Sequence, residues 1–182
     1  MNKYPTVEID GEIYRFINGQ CVDSMFLKPP REILVKIIRK FYNFDRLSEY
    51  PIEELREQLL YCKNEGLFVE AVAFADELQS RYEVGTRGGA DVSGLRWILP
   101  VRTSLFRMMG NPVGAIKIYK DIQSRFGDVA SSGALYTSVA AAYCDVDEYE
   151  IALKFCNKAR ALGERSLELS AVYERIKKHL YQ

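Results

Sequence analysis

Histidine is nearly absent from this 182-residue chain, which has His179 and no other. The four cysteines, Cys21, Cys62, Cys144 and Cys156, are separated by 41, 82 and 12 positions and form no C-x-x-C pair. That spacing offers neither a zinc site nor a disulfide framework, so the thiols are read as small apolar fillers and no metal is expected. Charge of one sign is also lacking, with 25 Lys plus Arg against 25 Asp plus Glu. The molecule therefore has no bulk field to draw in nucleic acid or an anionic membrane, and either partner would need a local patch. No apolar run approaches the roughly 18 residues needed to span a bilayer, and the opening MNKYPTVEIDGE has no apolar core of a leader. The expectation is a cytoplasmic protein without a membrane partner.

Catalytic constellations are missing as well. His179 lies among Lys177, Lys178 and Leu180 with no candidate nucleophile beside it, and is read as a surface residue. Acidic pairs such as Glu53-Glu54 and Asp147-Glu148 fall at helix starts, where negative charge complements the helix dipole. The glycine-rich stretch GTRGGADVSG, from Gly85 to Gly94, follows a helix and has no Gly-Lys-Ser/Thr, unlike a phosphate-binding loop. No enzyme activity and no cofactor are expected. A loop of this length is a fair place for partner contact, with Arg87 and Asp91 as its charged candidates.

What is present divides by period. Over residues 1–28, Asp10-Gly11 and Asn18-Gly19 are hairpin signals, because a type I′ turn needs positive φ at both central residues. They predict three strands at about 5–9, 12–17 and 20–25, with Ile9 opposite Glu12, Val7 opposite Tyr14, and Phe16 opposite Cys21. Val7, Ile9, Tyr14, Phe16 and Cys21 then share one face. So small a meander needs a packing partner, and the next helix supplies one. That helix opens after Pro29-Pro30 and runs to about Tyr42, with Ile33, Leu34, Ile37, Ile38 and Phe41 as its apolar stripe. Arg31, Lys36, Arg39 and Lys40 line its other side, expected to be solvated.

From Pro51 onward the period is helical. Helices are predicted at about 52–64, 67–83, 96–109, 112–126, 133–145, 148–162 and 166–181, with turns at Glu65-Gly66, Gly110-Asn111-Pro112 and Asp145-Val146-Asp147. Pro100 also allows the third of these to start as late as Leu99. Each second helix of a pair carries a small residue near its start: Ala71, Ala115 and Ala152, 44 and 37 positions apart. Removing the ten-residue glycine stretch from the first interval leaves 34.

A helix pair of that length resembles the tetratricopeptide repeat. The match is best in the third pair, where Tyr136, Val139, Ala140, Tyr143, Ala152 and Ala159 occupy the pattern positions and Tyr149 the turn aromatic. The second pair keeps Leu99, Thr103, Phe106, Gly110, Ala115 and Tyr119, but has Arg102 for leucine and Pro112 for the turn aromatic. The first keeps Leu55, Leu59, Gly66, Phe68, Ala71 and Ala75, with Gln58 and Cys62 departing. Methyl groups at Ala140 and Ala152 let two helix axes approach closely, and Tyr136, Tyr143 and Tyr149 are expected around the crossing. The resemblance implies a mainly α fold, a TPR-like superhelix of three hairpins at about 51–84, 95–128 and 132–165 in a domain spanning 29–182. The β-meander of 1–28 is then an appendage. The helix 166–181 closes the far end, with Leu167, Leu169, Val172, Ile176 and Leu180 inward and Glu168, Arg175, Lys177 and Lys178 outward.

Such stacks curve, and the first helix of each pair lines the concave side. Half a turn from the buried positions lie Arg56 and Lys63 in the first pair, Trp97, Ser104, Arg107 and Met108 in the second, and Thr137 and Asp145 in the third. Trp97 and Arg107 are the residue types that most often anchor an interface. The lysine and asparagine clamp by which some members of that family hold acidic C-termini is mostly missing, since Arg56, Leu60, Ser104, Thr137 and Ala141 stand at its places. The function expected is a non-catalytic adaptor that binds a protein or peptide in this groove or at the loop, an acidic one suiting Arg56, Lys63 and Arg107. The alternative is a nucleic-acid accessory protein using the basic sides of Arg31–Lys40 and of the terminal helix, at Arg175, Lys177 and Lys178.

Overall fold

The computed structural model describes residues 6–17, 20–85 and 89–180. Among them the chain is mainly helical with one three-stranded antiparallel sheet, and it divides into two compact units, 1–77 and 78–182.

The first unit begins with β1 (Thr6–Ile9), β2 (Glu12–Ile17) and β3 (Gln20–Val22), paired in that order. Register follows the turn chemistry. Asp10 and Gly11 adopt φ of 52° and 86°, and Ile9 pairs with Glu12, Val7 with Tyr14, and Phe16 with Cys21, as predicted. Asn18 and Gly19 lie outside the described residues. The last strand stops at Val22 instead of 25, because the Asp23 carboxylate takes the backbone N–H groups of Met25 and Leu27, both at 2.8 Å, and curls the chain. Val7, Ile9, Tyr14 and Cys21 are buried. The sheet packs on α1 (Arg31–Phe41), where Phe16 meets Phe41 edge-on with ring centroids 5.2 Å apart.

Helix α1 buries Leu34, Ile37 and Ile38 and is followed by a short 3-10 segment, Phe44–Glu49, not foreseen in the periodicity. Its basic side is tied down, not merely solvated. Lys36 binds Asp10 at 2.6 Å, Lys40 donates to the Glu8 carbonyl at 2.8 Å, and Arg39 grips the buried carboxylate of Glu70 through Nε at 2.9 Å and a second nitrogen at 2.8 Å. Helix α2 (Ile52–Asn64) buries Leu55, Leu59 and Cys62. Helix α3 (Phe68–Val84) starts in this unit with Ala71, Phe74 and Ala75 fully buried.

In the second unit, α4 (Val92–Met108) begins four residues before its expected start. Asp91 caps it, accepting the Gly94 N–H at 3.0 Å, so Gly94 belongs to the first helical turn and not to a loop. Pro100 lies inside the helix. Gly94 is required by proximity: a Cβ there would stand 2.2 Å from Cδ1 of Tyr82.

Helix α5 (Pro112–Phe126) carries proline in its first turn and the Asn111 side chain as cap, 2.8 Å from the Gly114 N–H. A 3-10 turn, Gly127–Ala130, leads to α6 (Gly133–Cys144), capped by Ser132. Helices α7 (Tyr149–Ala161) and α8 (Leu167–Leu180) complete the unit.

The packing residues of the third helix pair behave largely as expected. Ala140, Ala142, Ala152 and Ala159 are fully buried, and α6 runs closely against α7. Phe155 of α7 stacks on Tyr143 at 5.3 Å and meets Tyr119 and Tyr136 at 5.1 and 5.9 Å. Tyr149 departs from this cluster and stacks on His179 of α8, centroids 4.3 Å apart and planes 7° from parallel. On α8, Leu169, Val172 and Ile176 are buried as expected, but Leu167 is 89% exposed, because the first residue after the Ser166 cap projects before the helix reaches its neighbours. No described helix is long and apolar enough to cross a membrane.

Four helix ends share one backbone device: at the end of α7 the Ala159 carbonyl accepts the Glu164 N–H at 3.1 Å after Gly163 at φ 83°, and the other three close the first helix of each pair. Cys62, Phe106 and Tyr143 carbonyls accept the N–H five residues on, from Leu67, Asn111 and Glu148, at 2.8, 2.9 and 2.9 Å. The residue before each donor, Gly66, Gly110 or Asp147, has φ of 73°, 74° or 61°. These left-handed positions are 44 and 37 apart, the same intervals as Ala71, Ala115 and Ala152.

Candidate functional site

The C-terminal end of α4 and the turn after it border a cleft of about 490 Å³ lined by Arg107, Met108, Gly110, Pro112 and Asp145. Gly110, at φ 74°, and the Asn111 cap turn the chain into α5. Asp145 enters from the end of α6, one residue beyond Cys144.

Asp145 is held by two guanidinium groups from different helices. Arg107 Nε donates to one carboxylate oxygen at 2.7 Å, and Arg175 of α8 donates to the other at 2.6 Å. A second nitrogen of Arg175 donates to the Cys144 carbonyl at 2.8 Å, where cationic side chains suit the negative end of α6. Burial by itself would push the Asp145 pKa up, but hydrogen bonds from Arg107 and then Arg175 outweigh it and hold the carboxyl below its ordinary value. Glu168 stands 3.9 Å from Arg107 at the edge. Beside this polar knot Met108 and Pro112 line the cleft, Met108 being 47% exposed, and the chain neighbours Met109 and Val113 are exposed as well. Arginine beside flexible methionine is a composition enriched at interfaces and able to adapt to a partner.

Of the residues predicted for a groove, Arg107, Met108 and Asp145 come together here. Ser104, one turn back on α4, donates its hydroxyl to the Met108 sulfur at 3.9 Å. Trp97 is half-buried on the same helix. Thr137 is not a groove residue: it is 1% exposed and its hydroxyl donates to the Gly133 carbonyl at 3.0 Å, since α6 is covered on nearly every side. Asp91 serves as the α4 cap, and Arg87 lies outside the described residues. Arg56 and Lys63 are half-buried on α2 of the first unit. Arg175, Gly110 and Pro112 were missed as site residues. The turn Gly110-Asn111-Pro112 that follows α4 could have signalled the last two, whereas Arg175 is remote in sequence.

Several other basic groups are engaged locally. Lys177 binds Glu174 at 2.9 Å and, with Arg160, covers the Tyr173 ring. A second cleft, of about 460 Å³, is lined by Glu8, Ile9, Asp10, Lys36, Arg39 and Lys40, whose cations make the contacts given above. All four cysteines are free and buried. Burial pushes the thiols of Cys21 and Cys156 up to about 11 and that of Cys62 up to about 12, and raises Cys144 as well. Among the described residues, no group of three or more His, Cys, Asp or Glu is arranged to hold a metal ion. No protein-family model, curated protein or solved structure matches the chain.

Proposed function

We propose that this chain is a non-catalytic, TPR-like helical-repeat adaptor that binds a protein or peptide at the cleft beside the end of α4. The observation that carries the reading is the set of side chains around Asp145: a carboxylate shared by Arg107 and Arg175, beside Pro112 and exposed Met108 of the same cleft. A partner segment with apolar residues and a carboxylate suits that surface, the apolar part covering Met108 and Pro112 and the acid competing for the outer nitrogens of Arg107. The repeat reading is supported by the buried alanines Ala71, Ala115 and Ala152 and by the left-handed residues that close the first helix of each pair at the same intervals. Buried, proton-bound thiols support a non-catalytic role and suit a reducing, cytoplasmic setting.

The test is co-purification of tagged chain from its own cells, wild type beside Met108→Glu. The substitution puts a like charge where an acidic partner would lie, at a residue that is 47% exposed. Loss of a specific partner with unchanged helicity supports the assignment. Retention of every partner places binding elsewhere.

A further inference from the structure

The turn after β3 displays Met25, Phe26 and Leu27 at 74%, 68% and 59% exposure, three consecutive large apolar side chains directed into solvent. The loop is anchored on both sides, by buried Cys21 and buried Pro29. Its shape is set from within by Asp23, whose carboxylate takes the N–H groups of Met25 and Leu27, both at 2.8 Å. Its carbonyl takes the Phe26 N–H at 3.2 Å, and its N–H reaches the Leu27 carbonyl at 2.9 Å. Phe26 is held at φ 62°, the left-handed region that a bulky side chain rarely adopts. A strained residue kept in place by four local bonds points from geometry toward use.

The hydrogen bonding narrows what can cover the apex. The backbone N–H groups of all three apolar residues already have partners inside the loop, so none is offered to an added strand, and moving the apex out of water strips none of these donors. Three large side chains at this exposure present roughly 400 Å² of apolar surface, in the range of functional patches but well short of the roughly 800 Å² per partner of a stable dimer. Beyond the apex come cations: Lys28, which reaches Glu65 while its side chain stays 64% exposed, and exposed Arg31. An apolar wedge followed by cations matches the layering of a bilayer surface, hydrocarbon below and phosphate above.

We propose that Met25, Phe26 and Leu27 form an interfacial loop that inserts reversibly into a lipid bilayer, with Lys28 and Arg31 at the phosphate level. This is the local patch that the neutral composition leaves necessary for any membrane contact. It lies in the first unit and is independent of the cleft at Asp145.

The test uses the full chain with Trp97→Phe and Phe26→Trp, so that the only tryptophan reports on the apex. Vesicles of phosphatidylcholine, alone and with a minor fraction of phosphatidylserine, are added at low and high salt. Insertion predicts a blue-shifted emission with phosphatidylcholine alone that persists at high salt. In the otherwise wild-type chain, Met25→Ser with Leu27→Ser lowers the vesicle partition coefficient by at least about tenfold. Asp23→Ala, which keeps every apolar side chain but frees the donors, lowers it as well. No spectral shift overturns the proposal, as does binding that needs phosphatidylserine and vanishes at high salt. Equal partitioning of the serine variant and wild type also overturns it, and a dimer abolished by those serines assigns the patch to a second copy instead.

Discussion

Arg107 and Asp145 stand 38 positions apart in sequence and meet at 2.7 Å, a charged hydrogen bond that ties the last turn of α4 to the end of α6. Arg175 completes the knot from α8 through the other carboxylate oxygen. A contact of this kind both stabilises and exposes, since the Arg107 and Asp145 side chains remain about one-fifth and one-quarter accessible.

The first prediction concerns acid. A carboxyl whose pKa is lowered on folding adds stability that is complete above its unfolded pKa and is lost as pH falls through the folded value. Asp145→Asn should therefore cost about 1–3 kcal/mol at neutral pH, between the surface and buried limits for ion pairs. The cost should shrink in acid below the ordinary aspartate range. Urea titrations at several pH values check this, and a cost that stays constant into acid would contradict it.

Asp147 provides the second. It occupies at φ 61° the position that Gly66, Gly110 and Gly163 hold at three other helix ends, and its carboxylate accepts the Tyr149 hydroxyl at 2.8 Å. Alanine would keep the strain and lose the bond, whereas glycine would lose the bond but relieve the strain. Asp147→Ala should destabilise by about 1–2 kcal/mol and Asp147→Gly by less than about 0.5 kcal/mol. Thermal midpoints of the two variants compare these directly.

A third prediction tests the approach of Tyr82 to α4. Gly94→Ala drives a methyl group into the body of the ring, whose Cδ1, Cε1 and Cγ lie 2.2, 2.5 and 2.5 Å from the added carbon. Overpacking of this sort costs about 1–3 kcal/mol. Tyr82→Leu in the same chain should recover part of it, so the double variant is less destabilised than the sum of the singles. Strict additivity would mean the helix starts elsewhere.

The β register was legible because it depends on local chemistry: Asp10-Gly11 fixes the turn, and period two places Val7, Tyr14 and Cys21 on one face. Helix α6 was legible for a similar reason, its small residues leaving little choice but close packing. What escaped depends on distant partners. Thr137 looked like a groove residue because helical phase cannot tell which neighbours cover a helix on several sides. Tyr149 was expected at the alanine crossing because the turn pattern does not reveal that His179 returns to stack on it. Gly94 reads as loop in the sequence because the glycines at 85, 88 and 89 break the helical pattern and Asp91 reads there as a contact residue, not as a cap. The exposure of Met25, Phe26 and Leu27 contradicts their hydrophobicity, and only the Asp23 bonds explain it.

The central claim is that the cleft at Arg107, Met108 and Asp145 is a peptide-binding site. The direct measurement selects a random peptide library against the full chain, then compares dissociation constants for wild type, Arg107→Ala and Met108→Glu by fluorescence anisotropy. The account predicts selected peptides that combine acidic and apolar residues, each bound at least about tenfold more weakly by both variants. Peptides without acidic residues, or affinities unchanged in both variants, would contradict it.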